Sequence, residues 1–515
     1  LKLQLKSYVT PNGDELLYCG NPNFEILNNL AIGTGDVWHS SFIQGYKNAF
    51  PELIYQTSLF WWYLNDFENV EQGVSWRINP NAFVVRASVW NLLGGFEMIY
   101  DSKSMAAFSF GINLIRNHGG VPLHVENLFT DNSQTYIPPN TLDRYKYFRR
   151  HFKARHSLYM LFRQKGRYFL SEYKLFQKAK KELTQKTDYT LIPVRSLSSI
   201  TGNPTVSVVI PTMFRQEYTC QLIQDYKAQS YNIKEIIVVD ATPKSDRTNH
   251  YDSLKELPFK LTIKWQITSG SCRARNEAIT LCSGDYIIFA DDDIRIPPDF
   301  VENHIKLLQN YNANACNGLD IRAEHHTQNL EDLTRLQKNV NDFRSVSGAS
   351  QSFSNANSCV AKSVVDQLVG NDINYDGGYG EDGDFGLSIT KLGYTVLHNP
   401  LSINLHLKPP AGGYRWWNAQ AKLLGKKRKM QPWELNHPVK GIVPRPSPTV
   451  MYQMVKHFPE HQLKEYKRKY FFLYLFNGSK LGLPWRIIKL PMRLKQFKKS
   501  VFYAKKLKNL GVRHS

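Results

Sequence analysis

Three aspartates, Asp291-Asp292-Asp293, close the apolar run Tyr286-Ile287-Ile288-Phe289-Ala290. Residues i and i+2 of an extended segment point the same way, so Asp291 and Asp293 can face one ligand while Asp292 faces elsewhere. Two carboxylates so placed suit a hard divalent cation, Mn²⁺ or Mg²⁺, of the kind that commonly bridges protein to a diphosphate. The other reading of the triplet is a solvated turn that caps the next helix. A second acid pair, Glu381-Asp382, follows Gly377-Gly378-Tyr379-Gly380 and has proton-accepting and metal-binding capacity. The same pair would also serve as favourable N-terminal charges of a helix over Phe385 to Leu392, and both roles can hold together. His406 follows the strand-like run Leu401 to Leu405, where a structural histidine and a ligand both remain open. Asp36 and His39 have a metal-like spacing, but no apolar strand ending in Asp-x-Asp precedes them, so they are read as structural.

These residues need a scaffold, and it begins at Val206, where Val206-Ser207-Val208-Val209-Ile210 reads as a buried strand stopped by Pro211. Tyr218, Leu222, Ile223 and Tyr226 then recur at helical spacing, and Ile236-Ile237-Val238-Val239 forms a second strand ending at Asp240. A helix carrying Ala274, Ala278 and Leu281 leads into the strand before the aspartates. Strands and helices alternating in this way predict a parallel, doubly covered sheet, and ligands bind such sheets outside the carboxyl ends of their strands. Asp240 and the Asp triplet both lie on that edge.

The segment Asn81 to His124 repeats the pattern of Asn357 to His398. Counted back from Phe110-Gly111 and Phe385-Gly386, Ala106-Ala107 stand where the other copy has Glu381-Asp382. Methyl groups replace the acids, so the first copy reads as catalytically dead. Trp61, Trp62, Trp76, Phe83 and Trp90 are expected to pack its core.

Taken in order, Val206 to Thr212, Val238-Val239-Asp240, Ala274-Arg275-Asn276, Gly284-Asp285-Tyr286-Ile287, Asp291-x-Asp293 and Gly380-Glu381-Asp382 resemble glycosyltransferase family 2. The resemblance implies an α/β fold of the GT-A class (nucleotide-diphospho-sugar transferase, Rossmann-like) and a nucleotide-sugar donor. It implies base and ribose near Pro211, Thr212 and Asp240, a supporting Arg275, and a metal-bound diphosphate at Asp291 and Asp293. It also implies Asp382 as general base and His406 as an additional metal ligand. Chemistry agrees: a sugar hydroxyl is a poor nucleophile that needs a carboxylate to take its proton, and a departing diphosphate needs its charge neutralised. Glu381 would orient the acceptor hydroxyl or the loop. Asp240-Ala241-Thr242-Pro243 departs from the family pattern, which usually has a second acid and a Ser there, so the nucleotide contacts are less securely carried over than the fold.

The chain has 515 residues, 42% of them hydrophobic and 21% charged, which excludes a disordered polyelectrolyte. Its longest apolar run, Tyr470 to Phe476, is far short of the roughly 20 residues of a spanning helix. It opens Leu-Lys-Leu-Gln, with no charged leader before an apolar stretch, so no signal peptide is expected. Six scattered cysteines without a C-x-x-C pair point to a reducing cytoplasm. The net charge of +21 is concentrated. Thr141 to Lys186 carry 14 Lys/Arg against three acids, and Leu481 to Ser515 carry 10 and none. Two basic attachment surfaces beside neutral bodies follow, not a protein that coats nucleic acid.

Four regions are expected: a partial, degenerate GT-A-like module at 1–135, a basic helical connector at 136–203, the catalytic domain at 204–410, and a basic helical region at 411–515. The reading is an inverting, metal-dependent transferase that moves a sugar to a saccharide or lipid-linked saccharide in surface polysaccharide assembly. Its place is the cytoplasm, peripheral on the inner face of the cell membrane. Leu494, Phe497, Val501 and Ala504 form a helical stripe between Pro491 and Gly511, flanked by lysines. That stripe suits an anionic membrane surface, or it packs on the catalytic domain. Two alternatives are a non-catalytic polyanion-binding or scaffolding protein on a decayed transferase fold, and a sugar nucleotidyltransferase. The intact Asp291, Asp293 and Asp382 argue against the first, and Gly-Glu-Asp against the second.

Overall fold

The computed structural model describes residues 3–57, 61–131, 136–164, 166–183, 189–340, 342–414 and 430–515. Strands β1 (Lys6–Val9), β2 (Glu15–Cys19), β3 (Val37–His39), β4 (Gln72–Val74), β5 (Phe83–Arg86) and β6 (Pro122–Val125) form a sheet in the order β1-β2-β5-β3-β6-β4. All four residues of β5 are buried. The helix Lys103–Asn113 buries all but one of its residues, so its sequence is apolar or small on every side. Ala106 and Ala107 are fully enclosed, and a carboxylate at either position would be a desolvated charge. Trp62 and Trp76 are buried and Trp61 and Trp90 partly so, all packed in the core.

The second sheet contains β7 (Val206–Thr212), β8 (Glu235–Asp240), β9 (Lys260–Trp265), β10 (Tyr286–Ala290), β11 (Ile294–Arg295), β12 (Ala315–Arg322), β13 (Asn357–Ala361) and β14 (Val396–His406). Its order is β11-β14-β12-β13-β10-β7-β8-β9. The strands from β10 to β9 are parallel, as expected. The sheet as a whole is mixed, which corrects the expectation of a purely parallel one: β13 runs antiparallel to both β10 and β12, and β11 to β14.

The two sheets share a local pattern. β5 is antiparallel to β3, which is parallel to β6; β13 is antiparallel to β12, which is parallel to β14. β5 and β13 each lead into a short helix, Ala87–Leu93 or Lys362–Leu368, and then a longer one, Lys103–Asn113 or Glu381–Lys391. The glycine of each Phe-Gly pair permits a close approach of that longer helix. A Cβ on Gly111 would lie 2.3 Å from the carbonyl oxygen of Trp76, and one on Gly386 2.4 Å from Phe353 Cβ.

Helices Thr141–His151, Ala154–Phe162 and Phe169–Glu182 follow the first sheet. Tyr145, Tyr147 and Phe148 are fully buried, so the first of them belongs to the N-terminal core. Residues 189–203 run without regular structure. They are tied back by Arg195, which bonds the carbonyl of Gly33 at 2.7 Å. After the second sheet come helices Pro448–His457, Glu460–Phe476, Leu483–Ile488 and Leu490–Asn509. Lys456 ties the first of these to Asp372 and Asp384, at 3.0 and 2.8 Å. In the last, Phe497 and Ala504 are buried, with Tyr466, Tyr470 and Phe471 around the Phe497 ring. Phe497 and Ala504 of the expected stripe are therefore covered by protein, with Val501 partly buried against the same core. Among the described residues, no helix is long and apolar enough to cross a membrane.

Candidate active site

Each acid of the candidate site sits where a strand or helix begins or ends. At the end of β7 the Thr212 hydroxyl donates to Asp292 Oδ2 at 2.7 Å, so Asp292 turns into the protein. Burial pushes the Asp292 carboxyl up to about 6 in spite of Arg215 beside it. Asp291 and Asp293 gather with His406. β11 pairs antiparallel with β14, which sets Ile294 opposite His406 and brings the imidazole to Asp293, with Nε2 to Oδ1 at 3.4 Å. The other ring nitrogen, Nδ1, lies 3.0 Å from Asp320 Oδ1, and Asn404 donates to the same oxygen at 2.8 Å. Burial would favour a neutral imidazole, but the bonds to Asp293 and Asp320 outweigh it and hold His406 well above its usual range.

Ligand atoms of Asp291, Asp293 and His406 all lie within 4.8 Å of one another. Two carboxylates and an imidazole fit Mn²⁺ or Mg²⁺ as a donor set, with Asp320 as the outer partner that orients the histidine. Among the described residues this is the one such cluster. Asp36 and His39 do not form another. Asp36 accepts from the backbone N–H of Val121 at 2.9 Å, and His39 is enclosed between Ser41 and the carbonyl of Ser75.

Two arginines counter the acids. Arg275, on helix Ser271–Ile279, reaches Asp291 at 2.7 Å and is almost fully buried. Burial disfavours its charge, but Asp291, then Asp382 and Glu381, more than offset this. Arg215, in the loop after β7, bridges Asp293 at 2.7 Å and Asp292 at 3.0 Å. Sequence reasoning missed Arg215, because its target is defined only once β7 and β10 lie side by side.

Asp240 ends β8 with no exposure. It accepts from Thr242 N (2.8 Å), Gln216 Nε2 (3.1 Å) and Tyr251 OH (2.9 Å). Pro211 is buried within β7, opposite Val239. Pro211, Thr212 and Asp240 thus gather at the expected sheet edge, with the polar atoms of Thr212 and Asp240 bonded to protein.

Glu381 and Asp382 open helix Glu381–Lys391. Gly380 before them has φ of 107°, a left-handed turn that suits glycine. Glu381 is buried, and Asp382 accepts from Asn355 Nδ2 at 2.7 Å. Asn355 carries no sequence signal of this role. Asp382 lines a cavity of about 440 Å³ together with Asn317, Arg322, Arg344 and Ser354, and Ile115 and Gly119, just before β6 of the first sheet, form part of its wall. A larger cleft, about 1000 Å³, opens elsewhere, between Trp61, Trp62 and Lys391.

Residues 207–355 match the family described as Glycosyl transferase family 2, and residues 286–490 match Glycosyl transferase family group 2. The region that holds the second sheet is thus similar to glycosyl transferase family 2, and its mixed α/β sheet fits the GT-A class. It is similar to the "Putative colanic acid biosynthesis glycosyl transferase WcaA" of Escherichia coli, 35% identical over 99 residues, which are 19% of this chain and 36% of that protein. It is also similar to Glycosyltransferase GlyA of Streptococcus pneumoniae serotype 4, 26% identical over 113 residues, 22% of this chain and 16% of that protein. The chain thus spans about a third and about a sixth of the length of these curated relatives. Among solved structures, the mannosyltransferase PcManGT of Pyrobaculum calidifontis, in complex with GDP-Man and Mn²⁺, aligns with a TM-score of 0.35 at 17% identity, over 67% of this chain and 96% of that one. TarS of S. aureus in complex with UDP-GlcNAc aligns with a TM-score of 0.36 at 11% identity, over 59% and 83%.

Proposed function

We propose that the chain transfers a sugar, with inversion and with Mn²⁺ or Mg²⁺, from a nucleotide-sugar donor to a saccharide or lipid-linked saccharide acceptor in surface polysaccharide assembly. The observation that carries this reading is a continuous arrangement of groups. The carboxylate pair Asp291/Asp293 with His406, the buried Arg275, and Asp382 at the rim of a polar cavity follow one another across the carboxyl edge of one sheet. The match of residues 207–355 to the family and the name of the Escherichia coli relative support it.

Asp382 takes the proton from the attacking hydroxyl, and Glu381 beside it orients the acceptor or the loop. A single carboxylate base implies direct displacement at the anomeric carbon and therefore inversion. Asp291, Asp293 and His406 would hold the metal, which when bound neutralises charge on the departing diphosphate. Arg275 adds a fixed positive charge between donor and base. Pro211, Thr212 and Asp240 form the nucleotide end, with Thr212 and Asp240 acting through the loops they brace. The acceptor occupies the cavity of about 440 Å³, where Asn317 and Ser354 offer hydrogen bonds and Arg322 and Arg344 offer positive charge. The N-terminal module is a degenerate copy of the acceptor half of the fold, kept as a wall of that cavity. The cysteines are unpaired, which suits a cytoplasmic enzyme peripheral to the membrane.

The test is hydrolysis of a panel of nucleotide sugars with Mn²⁺, followed by transfer to candidate saccharides. Turnover of one donor, lost in Asp382→Asn, is the expected result. Failure to bind or turn over any nucleotide sugar would overturn the assignment.

A further inference from the structure

Phe497 and Ala504 of helix Leu490–Asn509 are covered, but an exposed apolar surface lies just before that helix and on its first turn. Leu481 is 94% exposed, Trp485 60%, Ile488 67% and Met492 44%, and helix Leu483–Ile488 buries none of its residues. Arg486 fastens that helix to the chain before it, bonding the carbonyls of Leu475 and Ser479 at 2.8 and 2.7 Å. The surface continues onto Phe476, itself exposed, whose ring lies 6.1 Å from that of the exposed Phe162. Monomeric proteins rarely leave a contiguous apolar patch of this kind in water.

Its surroundings are basic. Lys480 and Lys489 flank it in exposed positions, with Lys489 4.7 Å from the Trp485 ring, and Lys495 and Lys498 are exposed on the following helix. From Leu481 to Ser515 there are ten Lys/Arg and no acid. We infer that this surface, Leu481 to Met492, docks on an anionic lipid bilayer, with Trp485, Leu481 and Ile488 in the headgroup region and the lysines against acidic headgroups. Trp beside aliphatic residues and a one-sign ring of lysines is the combination that an interface of apolar depth and negative charge selects. The short helix buries none of its residues, which fits a fluid surface better than a folded partner.

The inference does not rest on the transfer reading, since vesicle binding is measured without donor or acceptor. The full chain is sedimented with vesicles of phosphatidylcholine alone and of phosphatidylcholine with a third phosphatidylglycerol. Binding to the anionic vesicles only, weakened by salt, is expected. The double variant Trp485→Ser, Ile488→Ser should weaken that binding by at least about tenfold, roughly 1.4 kcal/mol, while its melting temperature stays that of the parent because both side chains are exposed. No binding by the parent, or equal binding by the double variant, overturns the inference. A dimer in solution that the same substitutions dissociate, with no vesicle binding, assigns the surface to a second copy and overturns it too.

Discussion

The side-chain amide of Asn355 donates to Oδ1 of Asp382 at 2.7 Å. The bond fixes the carboxylate's rotation at the rim of the cavity that Asp382 lines. Asp382→Asn keeps the shape and an oxygen for Asn355 to reach but cannot take a proton. We expect turnover to fall by about 10² to 10⁴, with donor affinity near that of the parent by calorimetry. Parental turnover at saturating donor and acceptor would remove Asp382 from the role of base.

Metal dependence should map onto one cluster. Activity is expected to vanish with a chelator and return with Mn²⁺ or Mg²⁺, and Asp293→Ala should lose metal-dependent donor binding. Asp36→Ala and His39→Ala should lower the melting temperature, since both side chains are buried and bonded, yet leave the metal requirement intact. Full activity in excess chelator would refute the assignment.

Gly119, just before β6 of the first sheet, should affect acceptor use. Gly119 has φ of 73°, and a Cβ there would meet Val346 Cγ2 at 2.2 Å, so Gly119→Ala must displace the 346–348 wall of the cavity. An acceptor misplaced by a fraction of an ångström should raise its KM by at least about tenfold, with donor hydrolysis little changed. Equal loss in both assays would mean that the wall supports the whole domain and not the acceptor alone.

Part of the site was legible: Asp291 and Asp293 gather with His406, but β10 ends at Ala290 and residues 292 and 293 form a turn, so one Arg215 reaches both Asp292 and Asp293, which alternation along a strand does not foresee. The apolar runs of β7, β8 and β10 were plain. β9 was not, because Lys260-Leu261-Thr262-Ile263-Lys264-Trp265 is a half-exposed edge strand that reads as neither a continuous apolar run nor a helix. β12 and β13 hid for another reason. They bury polar residues: Asn357, with no exposure, bonds His304 and Asn404, at 2.9 and 2.7 Å. Such networks are satisfied only across elements distant in sequence, so no local pattern announces them, and the same holds for Arg215 and Asn355. The stripe around Phe497 had a genuine helical period, but periodicity shows that a face will be covered and not by what.

Lys469 should make stability depend on pH. Its ammonium is 1% exposed on helix Glu460–Phe476, where it bonds the carbonyl of Tyr55 at 2.5 Å and Gln56 Oε1, with the Tyr159 ring at 5.6 Å. Burial pushes it down to about 7, with Glu465 opposing weakly, whereas an unfolded chain keeps a lysine protonated to about 10.4. Below pH 7 both states hold the proton and the folded state bears the full cost of a buried charge. Between about pH 7 and 10 the unfolded state binds more protons, so stability rises with pH. At roughly 1.4 kcal/mol per unit the change amounts to a few kcal/mol. Lys469→Met removes the charge but leaves two buried acceptors without a donor, at about 1–3 kcal/mol each. Its stability should therefore be near that of the parent at pH 6 and clearly lower at pH 9, as read from urea midpoints. Because the variant shares every other titrating group, the difference between the two pH values isolates Lys469, and equal differences at both would show that its proton is not displaced on folding.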